Sequence, residues 1–383
     1  MRTTYKLLII GRIYNNHLIR FIQNLKNENG SVQIDVFSLY KEKQIPKELV
    51  GLISKEYYLY IGKDHRSKIM QKASSLIDII KLISFFNRIS EHYDIINIHY
   101  PSYFYTFCYR QLKNISDHIV LTAWGSDVYR CNWTQIQFLK ILYRKADYVT
   151  AVSSRFRDDL LRIFGVPSES MPILDMASDT IDYIVDNKQV ISSDEAKRKL
   201  NVSGKYVICC GYNGQRAQQH IAIIKSLSAI KKHLPSNFVL FLPFMYGGDE
   251  TYKIEVIKIA EDSKFKYRIF ESYLDTANMF LLEQATDMLI HVQTTDASSC
   301  SIQEFILLEK KIINGEWLKY PQLTSCSIDP YFVTSSIESL PETISDAITA
   351  NIIIPHETID YIKSNGWRSW IKKWNQFFIS IIN

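Results

Sequence analysis

Two acidic residues separated by seven others form the most specific chemical pattern in the sequence. Asp296 and Glu304 flank Ala-Ser-Ser-Cys-Ser-Ile-Gln, directly after a predicted strand over residues 288–292. The pair spans a loop and the start of a predicted helix, so both carboxylates could face one site. A buried carboxylate that accepts hydrogen bonds from vicinal hydroxyls orients a sugar strongly. The alternative for Glu304 is a capping box with Ser301, since the two residues have the Ser-x-x-Glu spacing of that motif.

A turn that contains glycine follows the first predicted strand of the second half of the chain. Gly211-Tyr-Asn-Gly-Gln-Arg216 comes after residues 206–210 and leads into a predicted helix. Glycine lets a backbone approach a phosphate, and the free N–H groups of a helix N-terminus attract anions. The guanidinium of Arg216 could neutralise a diphosphate. An ordinary strand–turn–helix connection without a ligand is the alternative.

Further candidates lie at the ends of predicted strands in the first half. Trp124-Gly125-Ser126-Asp127 follows residues 118–122, and its alternative is a tight turn in which Asp127 caps the next helix. Gly11 follows the first predicted strand, with His17 close behind, and His99 ends another strand. Loops at such strand ends bind ligands in α/β folds. A cap or solvated side chain is the alternative for His17, and a structural role is the alternative for His99.

Short apolar runs alternate with helical patterns in both halves, which predicts parallel sheets covered by helices on both faces. The predicted strands are 5–10, 32–39, 95–99, 118–122 and 148–152, then 206–210, 238–243, 267–269, 288–292 and 311–314. Two such domains place a ligand cleft between the carboxyl ends of their sheets. The predicted class is therefore α/β, with two doubly wound Rossmann-like domains facing across a cleft.

The same pattern predicts the domain boundaries. Residues 1–175 form the N-terminal domain, residues 176–194 are polar and weakly periodic and form a linker, and residues 195–358 form the C-terminal domain. Residues 359–383 place tryptophan, phenylalanine and isoleucine at helical spacing, with lysine and arginine between them. We expect this amphipathic helix to cross back onto the N-terminal domain. A helix that lies on a membrane surface is the alternative.

The composition excludes several classes of protein. The chain has 383 residues, 46% hydrophobic and 22% charged, which excludes wholesale disorder. Its net charge of +5 permits anionic substrates or an anionic membrane surface and does not require a nucleic-acid partner. Six cysteines without a C-x-x-C pair encode neither a zinc site nor a redox motif. Without a signal-peptide pattern or an apolar run of about 18 residues, we expect a cytoplasmic protein.

The motifs between Gly11 and Gly315 resemble, in order and spacing, those of GT-B glycosyltransferases, especially glycosyltransferase family 4. Asp296 to Glu304 is similar to the family's E-x7-E element, with Asp in the first position. Residues 124–127 resemble its H-G-S-D or W-G-S-D loop, and Ala146-Asp147 to Ser153 matches its A-D-x5-S strand and turn. The Asn-Gly turn near Arg216 also resembles a smaller set of surface-polysaccharide transferases, including fucosamine transferases.

This resemblance implies roles for individual residues. Glu304 would bind the nucleotide ribose and Asp296 the donor sugar, and Asp127 would face the sugars from the other domain, so these three are the implied catalytic residues. The other implied donor-binding residues are Gly211, Asn213, Gly214, Arg216, Tyr246, Tyr273, Ser298 and Ser299. The other implied acceptor-side residues are Gly11, His17, His99, Gly125 and Ser126. A retaining, metal-independent reaction is implied, with no cofactor besides the donor substrate.

The expected function is transfer of a sugar from a nucleotide-diphosphate donor to a lipid-linked or oligosaccharide acceptor in bacterial capsule or O-antigen biosynthesis. The C-terminal domain would bind the nucleotide sugar and the N-terminal domain the acceptor. The sequence also allows a peripheral contact with the inner face of the cytoplasmic membrane. Two alternatives also stay open: a nucleotide-sugar epimerase of the same shape, and a non-catalytic binding protein with a GT-B-like core.

Overall fold

The structure is a computed structural model that describes residues 2–39, 45–59, 68–175, 177–324 and 329–383. The chain divides into two compact units. Unit 1 comprises Met1–Asp175 and Arg368–Asn383, and unit 2 comprises Met176–Trp367. Each unit is built on a parallel sheet.

Unit 1 holds a six-stranded sheet within its described residues, in the order β3-β2-β1-β4-β5-β6. Its strands are β1 (Lys6–Ile10), β2 (Gln33–Ser38), β3 (Lys55–Tyr58), β4 (Tyr93–His99), β5 (Ser116–Thr122) and β6 (Tyr148–Thr150). The central strands β1 and β4 are almost wholly buried, as expected where helices cover both faces. The chain changes direction across the sheet between β1 and β4, and ligands bind at this kind of switch point.

The helices of unit 1 are α1 (Asn16–Glu28), α2 (Lys68–Asn87), α3 (Tyr109–Asn114), α4 (Ser126–Tyr129), α5 (Trp133–Lys145) and α6 (Ser154–Phe164). Their ends follow from local sequence. Asn132 and Gln135 form a capping box at the start of α5, and the Ser153 hydroxyl caps α6. Gly165 ends α6 in the left-handed conformation, at a φ of 71°.

Unit 2 repeats this plan, with the strand order β12-β11-β10-β7-β8-β9. Its strands are β7 (Tyr206–Cys210), β8 (Phe238–Pro243), β9 (Tyr267–Phe270), β10 (Met288–His291), β11 (Lys311–Gly315) and β12 (Phe332–Thr334). Its helices are α7 (Asp179–Asn187), α8 (Ser193–Lys199), α9 (His220–Ala229), α10 (Glu250–Asp262), α11 (Thr276–Ala285), α12 (Cys300–Leu307), α13 (Leu340–Thr349) and α14 (His356–Lys363).

The structure differs from the sequence prediction in three places. The predicted linker over 176–194 contains helix α7, whose apolar residues Ile181 and Ile184 are buried in the core of unit 2. The edge strands β3 and β12 were not predicted, because they are short and only partly buried. The single helix predicted over 359–383 is two helices, α14 and α15 (Trp367–Ile382), separated at Ser364–Gly366.

The apolar face of α15 is buried, which favours the packing alternative over the membrane alternative for this segment. Within unit 1, Trp370, Trp374 and Phe378 are each at most 3% exposed. The Trp370 indole N–H donates to the Asp175 carbonyl, and the Phe378 ring contacts Tyr5 at 5.9 Å between centroids. Among the described residues, no helix combines the length and hydrophobicity needed to cross a membrane.

Candidate active site

The glycine turn after β7 is held by close backbone packing in unit 2. Gly211 has a φ of 66°, and a Cβ there would lie 2.6 Å from Gln218 Oε1. A Cβ on Gly214 would lie 3.1 Å from the Gly248 nitrogen, and the Gly214 N–H donates to the Tyr246 carbonyl at 2.9 Å. The turn therefore needs glycine at both positions, and it packs against the loop after β8.

Asn213 and Tyr246 connect these two loops. Asn213 is 4% exposed, its Oδ1 accepts from the Gln215 N–H at 2.9 Å, and its side chain hydrogen-bonds to the Tyr246 side chain. Desolvation, and after it the negative charge of Glu304, raise the pKa of the Tyr246 hydroxyl to about 12. Tyr273 also acts electrostatically on Tyr246, although its own ring is largely exposed. The structure thus brings together four predicted donor-side residues: Asn213, Tyr246, Tyr273 and Glu304.

Glu304 lies on α12 and is 4% exposed. The Ser178 hydroxyl donates to its Oε1, and its carboxylate also hydrogen-bonds to the carboxyl of Glu283, which is 1% exposed. The capping-box alternative is wrong, because Ser299 rather than Ser301 caps α12: its hydroxyl accepts from the Ile302 N–H at 3.3 Å.

The carboxyl groups of Glu283 and Glu304 are both buried and hydrogen-bond to each other. Burial, and then the charge of Glu304, raise the pKa of Glu283 well above its ordinary value. Burial also raises the pKa of Glu304, while hydrogen bonds from Glu283 and Ser178 favour its ionised form. Glu283 is therefore the protonated member, and it donates to an ionised Glu304. This arrangement holds the Glu304 carboxylate in one orientation.

Asp296 is held in a separate hydrogen-bond network. Its Oδ2 accepts from the Tyr320 hydroxyl at 2.8 Å and its Oδ1 from the Ala297 N–H at 2.9 Å. The Ser298 N–H also donates to this carboxylate, and His291 Nε2 lies 3.9 Å from Oδ2. Burial raises the pKa of Asp296 above its ordinary value. Asp296 is thus occupied by neighbouring groups of its own unit, and sequence reasoning did not identify His291 or Tyr320 as its partners.

Tyr212 interacts electrostatically with both Asp296 and Tyr246. It stacks on His291 at 5.8 Å between centroids, and its hydroxyl donates to Gln293 Oε1 at 3.2 Å. Burial, then the charges of Asp296 and Tyr246, raise the pKa of the Tyr212 hydroxyl well above its ordinary value. The turn after β7 therefore interacts with the surroundings of Asp296.

The guanidinium of Arg216 is paired with carboxylates, which the sequence did not predict. Its Nε lies 3.3 Å from Asp249 Oδ2 and its Nη1 lies 3.2 Å from Glu255 Oε2. It also stacks on the Tyr252 ring at 4.6 Å. The side chain is 53% exposed, and exposed ion pairs of this kind are weak because water and salt screen the charges. A diphosphate could therefore displace these partners.

We expect Arg216→Ala to weaken the binding of a nucleoside diphosphate about tenfold and to leave the binding of the matching nucleoside unchanged. The measurement is titration calorimetry with both ligands on the same protein preparation. Arg268→Ala is the matched control, since Arg268 is another exposed arginine of unit 2 that stacks on a ring, that of Phe270. Equal losses for diphosphate and nucleoside would contradict a phosphate role for Arg216.

In unit 1, a cavity of about 290 Å³ lies at the carboxyl ends of β1, β4 and β5. The predicted acceptor-side residues that line it are Gly11, His99, Ser126 and Asp127. A Cβ on Gly11 would lie 2.9 Å from Leu18 Cδ2, so a larger residue at this strand end would have to displace the Leu18 side chain. Sequence reasoning did not identify the aromatic and basic side chains of the lining, which include Tyr100, Tyr103, Phe104, Arg12 and Arg130.

Asp127 is the acidic group of this cavity and is 4% exposed. Its Oδ1 accepts from the Trp124 N–H at 2.9 Å, while its Oδ2 has no hydrogen-bond partner within the described residues. Burial raises its pKa to about 7, although backbone N–H groups including those of Trp124 and Gly125 partly offset this rise. Asp127 lies inside the short helix α4 and does not cap it; Gly125, with a φ of 93°, is the residue before the helix.

His99 lines the same cavity and is 4% exposed. Neither ring nitrogen has a hydrogen-bond partner among the described residues, and the ring packs edge-on against Phe21 at 4.9 Å. Burial, and then the charge of His17, lower the pKa of His99 to about 3. His99 is therefore a neutral hydrogen-bonding group and a weak proton acceptor. His17 does not line the cavity; it contacts the Trp124 ring at 4.5 Å.

The part of the chain that the structure describes contains no group of three or more His, Cys, Asp or Glu side chains that could hold a metal ion.

The chain is similar to glycosyltransferases in part of its sequence and in its fold. Residues 6–153, within unit 1, match a family model described as glycosyl transferase 4-like. A glycosyltransferase from Rickettsia africae is 14% identical, with a TM-score of 0.69 over 100% of both chains. HepE of Anabaena, solved with UDP-glucose, is 14% identical, with a TM-score of 0.66 over 98% of each chain. The lipopolysaccharide outer core galactosyltransferase WaaB is 10% identical, with a TM-score of 0.65 over 98% of this chain and 99% of that one.

These similarities cover the chain from end to end, so the α/β class and the two-domain GT-B fold are confirmed. Together with the family match in unit 1, they define the class of the protein, a glycosyltransferase of GT-B fold. No curated protein matches the chain in sequence.

Proposed function

We propose that the chain transfers a sugar from a nucleotide-diphosphate donor, bound by unit 2, to a hydroxyl of a lipid-linked or oligosaccharide acceptor, bound by unit 1. The observation that carries the proposal is the buried carboxyl group of Glu304, which hydrogen-bonds to Ser178 and Glu283 and acts electrostatically on Tyr246 in the loop that packs on the glycine turn after β7. Such a carboxylate accepts hydrogen bonds from two vicinal hydroxyls, as a ribose presents them. The solved complex of HepE with UDP-glucose, a protein of the same fold, supports a donor of this kind.

In the proposed reaction, the bond between the anomeric carbon and the β-phosphate oxygen breaks, and the acceptor oxygen bonds to the same carbon. The negative charge that develops on the leaving diphosphate is stabilised by the guanidinium of Arg216. We propose a retaining outcome without a metal ion, in which the acceptor proton passes to the leaving phosphate. Asp127 orients the acceptor hydroxyl by accepting its hydrogen bond.

The biological setting is also part of the proposal. A bacterial surface polysaccharide, such as a capsule or an O-antigen, is the product we favour, and the galactosyltransferase WaaB of the same fold supports this setting. A lipid-linked acceptor would require the enzyme to work at the inner face of the cytoplasmic membrane as a peripheral protein.

A thermal-shift screen of nucleoside diphosphates and nucleotide sugars tests the donor. A ligand at about 100 times its Kd stabilises the folded state by about 2.7 kcal/mol, so we expect a shift of several degrees for the correct nucleotide. Incubation of the best donor with candidate acceptors should then give a product whose anomeric configuration matches that of the donor sugar by NMR. No stabilisation by any compound would indicate a non-catalytic protein, and interconversion of the free nucleotide sugar would indicate an epimerase.

A further inference from the structure

One face of unit 1 carries an unusual set of side chains. Helices α2, α3 and α5 lead into β4, β5 and β6, which follow one another across the sheet. Connections between parallel strands are right-handed, so these three helices cover the same face of the sheet. In agreement, α2 packs against α3, and α5 packs against the turn over Tyr103–Thr106. The Tyr109 hydroxyl of α3 also donates to the Lys145 carbonyl at the end of α5. We call this surface the α2–α3–α5 face.

The α2–α3–α5 face exposes large apolar side chains to solvent. Six of them lie on these helices or directly before α3: Leu76, Ile77, Ile80, Phe107, Trp133 and Ile141. Trp133 is 76% exposed and Leu76 61%, although both are large enough to contribute strongly to a core. On α5, Trp133 and Ile141 are eight residues apart and therefore lie on the same side of the helix. A cluster of this kind marks a surface that contacts a partner or a membrane.

The charged residues of the same face are mostly basic. The segments 76–87, 99–116 and 128–146 contain seven basic residues: Lys81, Arg110, Lys113, Arg130, Lys140, Arg144 and Lys145. They contain one acidic residue, Asp78, and it is buried at 6% exposure. Three further acids border these segments: Asp117, the buried Asp127 of the acceptor cavity, and Asp147, whose Oδ2 lies 2.9 Å from Lys113 Nζ. Exposed apolar groups among basic residues complement an anionic bilayer, where tryptophan favours the interfacial layer.

The same segments also line the acceptor cavity. Tyr103 and Phe104 before α3, Arg130, and Gln135 and Leu139 of α5 all line the cavity that contains Asp127. We propose that the α2–α3–α5 face docks on an anionic membrane surface, so that the acceptor cavity opens at the level of the lipid headgroups. This inference rests on the proposed function only for the lipid-linked nature of the acceptor. The binding itself needs no nucleotide.

Co-sedimentation of the full chain with vesicles tests the inference. We expect at least tenfold stronger binding to phosphatidylcholine vesicles that contain 30% phosphatidylglycerol than to pure phosphatidylcholine vesicles, and weaker binding as salt is raised. The double variant Trp133→Asp, Ile141→Asp should reduce binding to the anionic vesicles at least tenfold. The variant Lys140→Glu, Lys145→Glu should remove the preference for phosphatidylglycerol. All four positions are on the surface of α5, and circular dichroism checks that each variant is folded.

The matched control is Val190→Asp, Ile254→Asp, which changes two exposed apolar residues of unit 2 and should leave vesicle binding unchanged. The inference fails if the wild type shows no preference for anionic vesicles, or if the α5 variants bind as tightly as the control. It also fails if Trp133→Asp, Ile141→Asp abolishes a dimer seen by ultracentrifugation without vesicles, since the face would then bind a second copy. Donor binding, measured by thermal shift, is independent of all these outcomes and tests the proposed function separately.

Discussion

Glu304→Gln is expected to reduce sugar transfer at least about 100-fold and to weaken nucleoside diphosphate binding about tenfold or more. Glutamine keeps the shape of the side chain and can still accept from Ser178, but it removes the negative charge that binds two ribose hydroxyls. The measurements are initial rates with the donor found in the thermal-shift screen and calorimetric titration with the corresponding diphosphate. Since the charge that is removed is a buried one, we expect the melting temperature to stay the same or to rise.

Glu309→Gln is the matched control for this variant. Glu309 follows the same helix, is 66% exposed, and pairs with Lys188 on the surface. It should keep wild-type rates and affinities. Wild-type turnover in Glu304→Gln would remove Glu304 from the donor site. Affinities for the nucleoside diphosphate and for its 2′-deoxy form give a further test of the ribose contact. A variant that has lost this contact should discriminate less between the ribose and 2′-deoxyribose forms than the wild type does.

The overall architecture could be predicted from the sequence because its causes are local. The buried strands are short apolar runs, and the helices between them carry caps such as Ser153 and Asn132. The edge strands β3 and β12 were missed because a strand that is only partly buried lacks the apolar run of a central one. The polar segment over 176–194 was interpreted as a linker, but the buried Ile181 and Ile184 anchor helix α7 there.

The sequence predicts where the candidate site lies, but it could not predict the internal contacts of that site. The spacing of Asp296 and Glu304 identifies the loop and helix that carry them. The proton on Glu283 depends on the burial of two carboxyls against each other, and Glu283 precedes Glu304 on a different helix. Tyr320 reaches Asp296 from 24 residues away, and Asp249 and Glu255 reach Arg216 from 33 and 39 residues away. Periodicity and motif spacing report local order and contain no information about such pairings.

Asp127→Asn is expected to reduce transfer at least about 100-fold and to abolish the pH dependence that this group gives the wild type. In the ionised carboxylate, Oδ2 carries no proton and can accept a hydrogen bond from the acceptor hydroxyl, while Oδ1 accepts from the Trp124 N–H. Because burial raises the pKa of Asp127 to about 7, the wild-type kcat/KM should rise with pH through about 7 and level off above it. The asparagine side chain can still accept from the Trp124 N–H, so the turn should keep its shape.

The raised pKa of Asp127 also makes the stability of the folded chain depend on pH. The pKa of Asp127 rises from 3.8 to about 7 on folding, so the folded chain holds a proton that the unfolded chain releases above about pH 4. The stability that this group contributes is complete below pH 3.8 and is lost as the pH rises to about 7. A neutral asparagine side chain would remove that loss, so the melting temperature of Asp127→Asn relative to the wild type should increase from pH 5 to pH 8. The exposed Asp158→Asn is the control and should change neither profile; a wild-type rate that is flat between pH 5 and pH 9 would show that Asp127 does not meet the acceptor.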